Sequence, residues 1–169
     1  MKNKFIIVFL FFFSYEKLFA ENIFIEAKNI SLDKDKSISI FENEVVVKTQ
    51  NKTIKSDYAE YNKKLGFLVF KRNVLAVDEK NNIIESEHAE YYEENKLFKS
   101  IGPTKITTTQ KYIIEGEDIT ANNLEKFIKS EKQTIVFDQD GNKIFLDNFQ
   151  YQNETNIFKS IGSIKIKDK

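Results

Sequence analysis

Polar and apolar residues alternate along much of the chain, as in Ile164-Lys165-Ile166-Lys167 near its end. Alternation with a period of two is typical of a β-strand that buries one face, and β-branched segments such as Glu44–Lys48 strengthen the signal. Turn-forming residues interrupt these segments at intervals of roughly 15 residues. We therefore predict about ten antiparallel strands of about ten residues each and no long helix.

The segments also repeat. The pentapeptide Phe98–Gly102 (FKSIG) recurs unchanged as Phe158–Gly162, an offset of 60 residues, and half of that offset relates Ile54–Tyr61 to Ile84–Tyr91. An isoleucine opens each repeat, and the column that these residues form is Ile25, Ile54, Ile84, Ile114 and Ile144. A fixed period of this length indicates stacked supersecondary units. We predict one repeat domain, residues 21–169, made of five units of about 30 residues with two strands in each unit.

A second apolar column follows the isoleucines by five residues and comprises Ile30, Ala59, Ala89, Ile119 and Phe149. An odd spacing places the two columns on opposite faces of a regular strand. A bulge or corner near Asp57, Glu87, Glu117 and Asp147 would bring both columns to the inside. The predicted fold is therefore all-β, with bent, stacked antiparallel hairpins that form an open sheet, either a jellyroll or taco-like trough or a flattened solenoid.

The first twenty residues are typical of a signal peptide. Two lysines in Met1–Lys4 precede the apolar run Phe5–Phe13, and Ala20 suits cleavage before Glu21. Nine apolar residues are too few to span a bilayer, which takes about 20 in a helix. We expect secretion to the periplasm with residues 1–20 removed; the alternative is a short uncleaved membrane anchor.

Charge and cysteine content narrow the class of partner. Without residues 1–20 the chain carries 23 basic and 25 acidic side chains, which argues against nucleic acid as a partner. The absence of cysteine excludes disulfides and thiolate metal sites.

Candidate catalytic chemistry is sparse. The single histidine, His88, occupies a repeat position, and acid pairs such as Glu93-Glu94 fall in turns. No nucleophile, base and orienting group converge, so we expect neither an enzyme, a metal site nor a cofactor.

The two apolar columns suggest a lining for lipid acyl chains, because each CH₂ that leaves water gains about 0.8 kcal/mol. The residues expected to line such a groove are Ile25, Ile54, Ala59, Ile84, Ala89, Ile114, Ile119, Ile144 and Phe149. From the columns alone, closure on one another as a dry core is the more usual outcome, because apolar stripes are mostly core; the family resemblance described below favours the groove.

The first and last strands should have unpaired edges. We expect Ile23 and Ile25 on the first edge, and Ile164 and Ile166 on the last, to join other chains by strand addition. Such contacts would give end-to-end association, including a possible head-to-tail homo-oligomer. The alternative is that Lys165, Lys167 and Lys169 protect the last edge.

At Ile54–Tyr61 and Ile84–Tyr91 the chain resembles the OstA-like family of lipopolysaccharide transport proteins, and the likeness extends over residues 22–169. The family's Gly-Asn-Val stretch has its counterparts at Arg72-Asn73-Val74, which lacks the glycine, and at Gly102 and Gly162. The resemblance implies an open β-structure that carries lipopolysaccharide through the periplasm. It also implies an LptC-like inner-membrane partner and an LptD-like outer-membrane partner.

Two other functions remain open at this point. One is a structural or adhesive β-solenoid of the cell envelope without lipid transport. The other is a secreted carbohydrate-active enzyme on a β-helix, which predicts carboxylates clustered on one face, whereas the acidic residues here are spread over turns.

Overall fold

The computed structural model describes residues 23–33 and 35–169, and the predicted signal peptide, residues 1–20, lies outside them. All regular structure in these residues is β-strand. The strands are β1 (Phe24–Glu26), β2 (Asn29–Asp33), β3 (Ile38–Lys48), β4 (Lys52–Asn62), β5 (Phe67–Asp78), β6 (Ile83–Tyr92), β7 (Leu97–Thr107), β8 (Ile113–Glu117), β9 (Thr120–Asn122), β10 (Phe127–Ser130), β11 (Thr134–Phe137), β12 (Lys143–Leu146), β13 (Phe149–Gln152), β14 (Ile157–Lys159) and β15 (Ile164–Lys167).

These strands form one antiparallel sheet that folds over on itself. The five long strands β3–β7 run through both halves of the fold. The front half is completed by β1, β8, β11, β12 and β15, and the back half by β2, β9, β10, β13 and β14. The all-β prediction of bent, stacked antiparallel hairpins in an open sheet is confirmed.

The strands differ from the sequence expectation in number and length. Where about ten long strands were predicted, the sheet has fifteen, because the first predicted strand divides into β1 and β2 and each predicted strand after β7 also divides into two short ones. Between β8 and β9 the chain passes through Asp118, whose φ of 51° breaks the strand. Only the long strands β3–β7 therefore turn the corner as continuous strands, whereas the rest of the sheet turns it with a break between two short strands.

The corner itself lies where the sequence predicts it. The pairing register shifts at Asp57 in β4 and at Glu87 in β6, while β8 ends at Glu117 and β12 ends one residue before Asp147. A bulge bends its strand and increases the local twist, so repetition at one level folds the whole sheet along a line. We call this line the hinge.

The neighbouring strands reach the hinge with residues in the left-handed backbone region. Asn43 and Glu44 in β3 and Arg72 and Asn73 in β5 have φ between 51° and 65°, and Gly102 in β7 has φ of 78°. A left-handed residue other than glycine costs about 1–2 kcal/mol. The residues that resemble the family's Gly-Asn-Val stretch, at Arg72–Val74 and Gly102, therefore lie at this corner.

Both halves of the folded sheet turn their apolar faces to one shared core. Across the front half, one row of directly paired residues is apolar from edge to edge: Ile25, Val47, Ile54, Ala76, Ile84, Ile106, Ile114, Val136, Ile144 and Ile166. Across the back half, large and small side chains alternate beside the hinge as Phe41, Ala59, Phe70 and Ala89. Alternation of this kind lets facing rows interdigitate without voids.

Candidate functional site

The residues expected to line a groove all belong to this interior. Ile54, Ala59, Ile84, Ala89, Ile114, Ile119 and Phe149 are buried, and Ile25 and Ile144 are half-buried near the two ends of the sheet. The bulge at the hinge brings Ala59 to the same side as Ile54 although they are five residues apart. The structure therefore assembles these nine residues in one apolar interior, whereas Ile30, the remaining member of the two columns, is exposed.

The middle of the interior is filled by the protein's own side chains. Phe70, Phe98 and Leu68 are fully buried there, with Tyr91 beside them. The arrangement in this region is a packed core, and an acyl chain could enter it only if the two halves moved apart.

The C-terminal end of the interior is less completely filled. A cavity of about 250 Å³ lies there, and Ile144, Leu146, Phe158 and Ile164 are among the residues that line it. Ligand pockets usually span roughly 300–1,000 Å³, so this volume suits part of an apolar chain.

Larger concavities lie outside the interior. One, of about 580 Å³, is lined partly by the exposed residues Glu85, Glu87, Lys105 and Glu115. A second, of about 440 Å³, borders the hinge near Asp147. Their charged walls do not suit hydrocarbon, which favours the smaller C-terminal cavity as the apolar site.

The end strands expose apolar side chains beside the interior. On β15, Ile164 is 53% exposed and Ile166 is 69% exposed, and β15 pairs only with β12 among the described strands. At the other end, Ile23 and Ile25 are half-buried at β1, which pairs only with β3 within the described chain. The predicted edge residues therefore lie at the two ends of the front half.

Sequence reasoning missed that each end carries a second edge. Strand β2 also ends the sheet, and its Ile30 and Leu32 are 56% and 67% exposed. Ile30 belongs to the second apolar column, so its periodicity was visible. Its exposure was not, because burial depends on contact with neighbouring strands, and β2 pairs only with β3 among the described strands.

Opposite the hinge, two rows of turns face each other across the interior. The front row consists of residues 49–51, 79–82, 108–112 and 138–142. The back row consists of residues 63–66, 93–96, 123–126 and 153–156. We call the line where these rows meet the seam.

Side chains connect the two rows of the seam. Lys96 Nζ donates a hydrogen bond to Gln50 Oε1 at 3.1 Å, and Gln110 Nε2 donates one to Asn156 Oδ1 at 3.1 Å. Tyr151 OH donates to Gln110 Oε1 at 3.2 Å. Backbone hydrogen bonds between turns run along a row, as from Asn153 N to the Lys126 carbonyl at 2.8 Å.

Lys52 is the most deeply buried charged group at the seam, with 4% of its surface exposed. It begins β4 in the front half, and its Nζ lies 5.3 Å from the centre of the Phe98 ring in the back half. Burial lowers the pKa of Lys52 to about 8, although the Asp78 carboxylate acts in the opposite direction. Desolvation thus outweighs the attraction of the carboxylate.

Other polar groups at the seam are also under-satisfied. Three buried oxygens, Asn51 Oδ1, Glu93 Oε1 and Asn153 Oδ1, have no hydrogen-bond partner within the described part of the chain. A buried polar atom without a partner costs about 1–3 kcal/mol. Beside them, burial and then a hydrogen bond with Glu93 raise the pKa of Tyr61 to about 12.

The hinge, in contrast, provides hydrogen bonds to three of its acidic side chains. Asp57 Oδ2 accepts a hydrogen bond from Asn73 Nδ2 at 2.7 Å, and Asp118 Oδ1 accepts one from Gly102 N at 2.9 Å. At the last corner Asp147 Oδ2 accepts from Ser163 N at 2.7 Å. Aspartate carboxylates therefore stabilise the corner at these three places.

Potential sites of other kinds are few among the described residues. His88 lies half-buried at the hinge in β6. In residues 23–33 and 35–169, no cluster of three His, Cys, Asp or Glu side chains could hold a metal ion. Within the same ranges we find no helix long and apolar enough to cross a membrane.

Comparisons with known proteins give limited information. No family model matches the chain, and no curated protein matches it either. Among solved structures, it is similar to LptH, the LptA-homologous periplasmic component of the lipopolysaccharide transport device of Pseudomonas aeruginosa. That match has 10% identity and a TM-score of 0.34, and it covers 88% of this chain and 96% of LptH.

A second solved structure is the TCP10 domain of Danio rerio CPAP in complex with a STIL peptide, with 9% identity and a TM-score of 0.17. It covers 87% of this chain and 94% of that one. Because both TM-scores are low, neither similarity argues for a function, and the description of the fold rests on the sheet itself. In its repeated residues the chain resembles the OstA-like family, and its structure is the open antiparallel sheet that this resemblance implies.

Proposed function

We propose that this protein is an LptA-like, non-enzymatic bridge in lipopolysaccharide transport, secreted to the periplasm, which shields acyl chains in its apolar interior. The observation that carries the proposal is the front-half row of ten paired apolar residues, which reaches from Ile25 to Ile166 without a polar interruption. A continuous apolar path along the stack is what a hydrocarbon chain needs to stay out of water.

The cavity at the C-terminal end supports this function. It lies where the apolar row reaches the last strand, and Ile144 and Ile164 line it. Exposed apolar side chains at a cavity mouth are typical of a binding surface. We propose that lipid first occupies this end, and that the nine residues expected to line a groove, from Ile25 to Phe149, line its further path.

The unpaired edges support bridging. We propose that the edges marked by Ile23 and Ile25, and by Ile164 and Ile166, add strands to an LptC-like inner-membrane protein, an LptD-like outer-membrane protein or a second copy of this chain. Lys165 and Lys167 alternate with the isoleucines along β15, so they leave the apolar face of that strand uncovered.

Site-specific photocrosslinking in envelope-bearing cells tests lipid binding. A benzophenone side chain would replace Ile144, and the matched control would replace Phe145, its neighbour on the outer face of the same strand. We expect a lipopolysaccharide adduct at position 144 and none at 145. A second pair of positions tests lipid binding in the middle of the sheet, with Ile84 as the interior position and Lys55 as the exposed control.

The filled core favours a second candidate, a structural or adhesive β-solenoid of the envelope. Phe70, Phe98 and Leu68 are fully buried between the halves at mid-sheet. Absence of lipid adducts at positions 84 and 144, together with purification free of lipid, would favour this candidate over transport.

A further inference from the structure

The seam and the hinge join the same two halves of the sheet by different means. At the hinge the long strands β3–β7 pass from one half to the other, so separation there would break covalent chain and backbone pairing. At the seam the halves meet through side chains such as Gln110 and Asn156, which bond at 3.1 Å. Parting the halves along the seam therefore leaves the backbone ladders intact.

The closed seam also leaves polar groups poorly solvated. Lys52 faces the Phe98 ring and the Asp78 carboxylate, and the oxygens Asn51 Oδ1 and Asn153 Oδ1 have no protein partner in the described structure. Each of these groups gains water when the seam opens. The apolar side chains behind them lose contacts in the same movement, unless another apolar molecule takes their place.

Asp78 does not require Lys52 as its partner. The Asp78 carboxylate accepts hydrogen bonds from Lys80 N at 2.9 Å and from Asn82 N and Nδ2 at 2.9 and 2.8 Å. Lys52 and Asp78 are also paired directly between β4 and β5 in the front half, so opening of the seam separates Lys52 from Phe98 and leaves it beside a carboxylate that is already hydrogen-bonded.

We infer that the seam is the gate through which an acyl chain enters the interior, and that the buried ammonium of Lys52 biases the gate toward opening. The inference rests on the proposed function and assigns it a route: sideways between the two rows of turns. An amphiphile entering this way keeps its polar head among the hydrophilic turns while its chain replaces the contacts that the core gives up.

A crosslinked gate tests the route. The chain contains no cysteine, so the double substitution Gln50→Cys with Lys96→Cys provides a unique pair across the seam. The hinge pair Asp57→Cys with Asn73→Cys, also joined by a hydrogen bond, is the matched control. Each variant would be treated with bismaleimidoethane, and uptake of parinaric acid would be followed by its fluorescence.

We expect the seam crosslink to slow parinaric acid uptake by about tenfold or more, because entry then requires local unfolding. The hinge crosslink should leave uptake unchanged. Equal uptake by both crosslinked variants would overturn the gate and indicate entry through the ends. No uptake by either variant before crosslinking would instead refute the proposed function, so the two failures are distinguishable.

The role of Lys52 has its own test. Lys52→Met removes the charge and keeps an unbranched side chain that is one atom shorter, and Lys55→Met makes the same change on the exposed outer face of β4. We expect Lys52→Met to raise the melting temperature and to slow parinaric acid uptake several-fold, with no change for Lys55→Met. A lower melting temperature for Lys52→Met would show that the ammonium holds the seam closed and would overturn its assigned role.

Discussion

The hinge and the seam are two borders of one apolar interior, and they are stabilised in different ways. The hinge places several residues in an unfavourable backbone conformation and offsets that cost with short hydrogen bonds, such as Asn73 to Asp57 at 2.7 Å. The seam turns also contain left-handed residues other than glycine, such as Asn81 and Lys126, and the seam in addition buries Lys52 and three oxygens that lack partners in the described residues. The two borders therefore differ in their polar groups: the hinge gives hydrogen bonds to carboxylates such as that of Asp57, whereas the seam keeps several polar groups away from water.

This difference shows where the fold can move. Breaking the hinge costs backbone hydrogen bonds along several strands, and opening the seam exchanges side-chain contacts for water. Proteins open locally where buried apolar contacts are few and where hydrogen bonds are accessible to solvent. A folded sheet with one strong border and one weak border therefore has a built-in direction of opening.

The largest test of the comparison truncates two matched phenylalanines. Phe70 lies in the row beside the hinge and Phe98 in the row beside the seam, and both are fully buried. We expect Phe70→Ala to lower the free energy of unfolding by about 3–5 kcal/mol. Phe98→Ala should lower the free energy of unfolding by less, because the seam can relax or admit water. Urea denaturation measures both values. Equal losses in the two variants would contradict the difference between the hinge and the seam.

A change of pH should affect the seam through Lys52. Its pKa is about 8 in the folded protein against 10.5 ordinarily, so between these values the unfolded state binds more protons and stability rises with pH. The maximum gain is on the order of 3 kcal/mol. Above pH 10 the raised pKa of Tyr61, about 12, acts in the opposite direction, so the useful window is pH 8–10.

Urea denaturation of the unaltered protein and of Lys52→Met across that window checks this prediction. The variant should show a flat profile between pH 8 and pH 10, since it lacks the titrating group. A rise of the same size in both proteins would assign the effect to another residue.

The hinge should respond to backbone chemistry. Asn73 has φ of 51°, and Asn73→Ala removes its hydrogen bond and keeps the left-handed strain, for a loss of roughly 1–2 kcal/mol. Asn73→Gly should be less destabilising, because glycine adopts this conformation freely. If chemical denaturation shows Asn73→Ala to be more stable than Asn73→Gly, the backbone at this corner is not strained and the prediction is wrong.

The smallest effect is expected for an exposed link across the seam. Gln110→Ala removes the hydrogen bonds with Asn156 and Tyr151 and should change the free energy of unfolding by less than about 0.5 kcal/mol. Amide hydrogen exchange should nevertheless become faster in residues 108–112 and remain unchanged at the hinge. Unchanged exchange in both places would mean that these bonds do not restrain the seam.

Sequence periodicity predicted much of this architecture. The five-residue spacing between Ile54 and Ala59 required a bulge if both were to be buried, and the structure places the bulge at Asp57. The same reasoning located the corner at Glu87 and the edge strands at the two ends. Periodicity succeeds here because the alternation of side chains in a strand is fixed by backbone geometry.

The seam escaped prediction because its contacts join turns that are far apart in sequence, such as Gln50 with Lys96 and Gln110 with Asn156. In the sequence, Lys52 is one of 26 basic residues and carries no local sign of burial. Likewise, the exposure of Ile30 depends on which strands lie beside β2, and β3 is its one partner among the described strands.

The sequence by itself therefore determined the strands, the positions of their bends and the residues that face inward, since all three follow from local backbone geometry and side-chain alternation. Only the tertiary structure decided which turns meet, which lysine loses its water and how much of the interior the protein fills. Those outcomes depend on the angle at which the folded sheet closes, and that angle is set by packing between distant side chains.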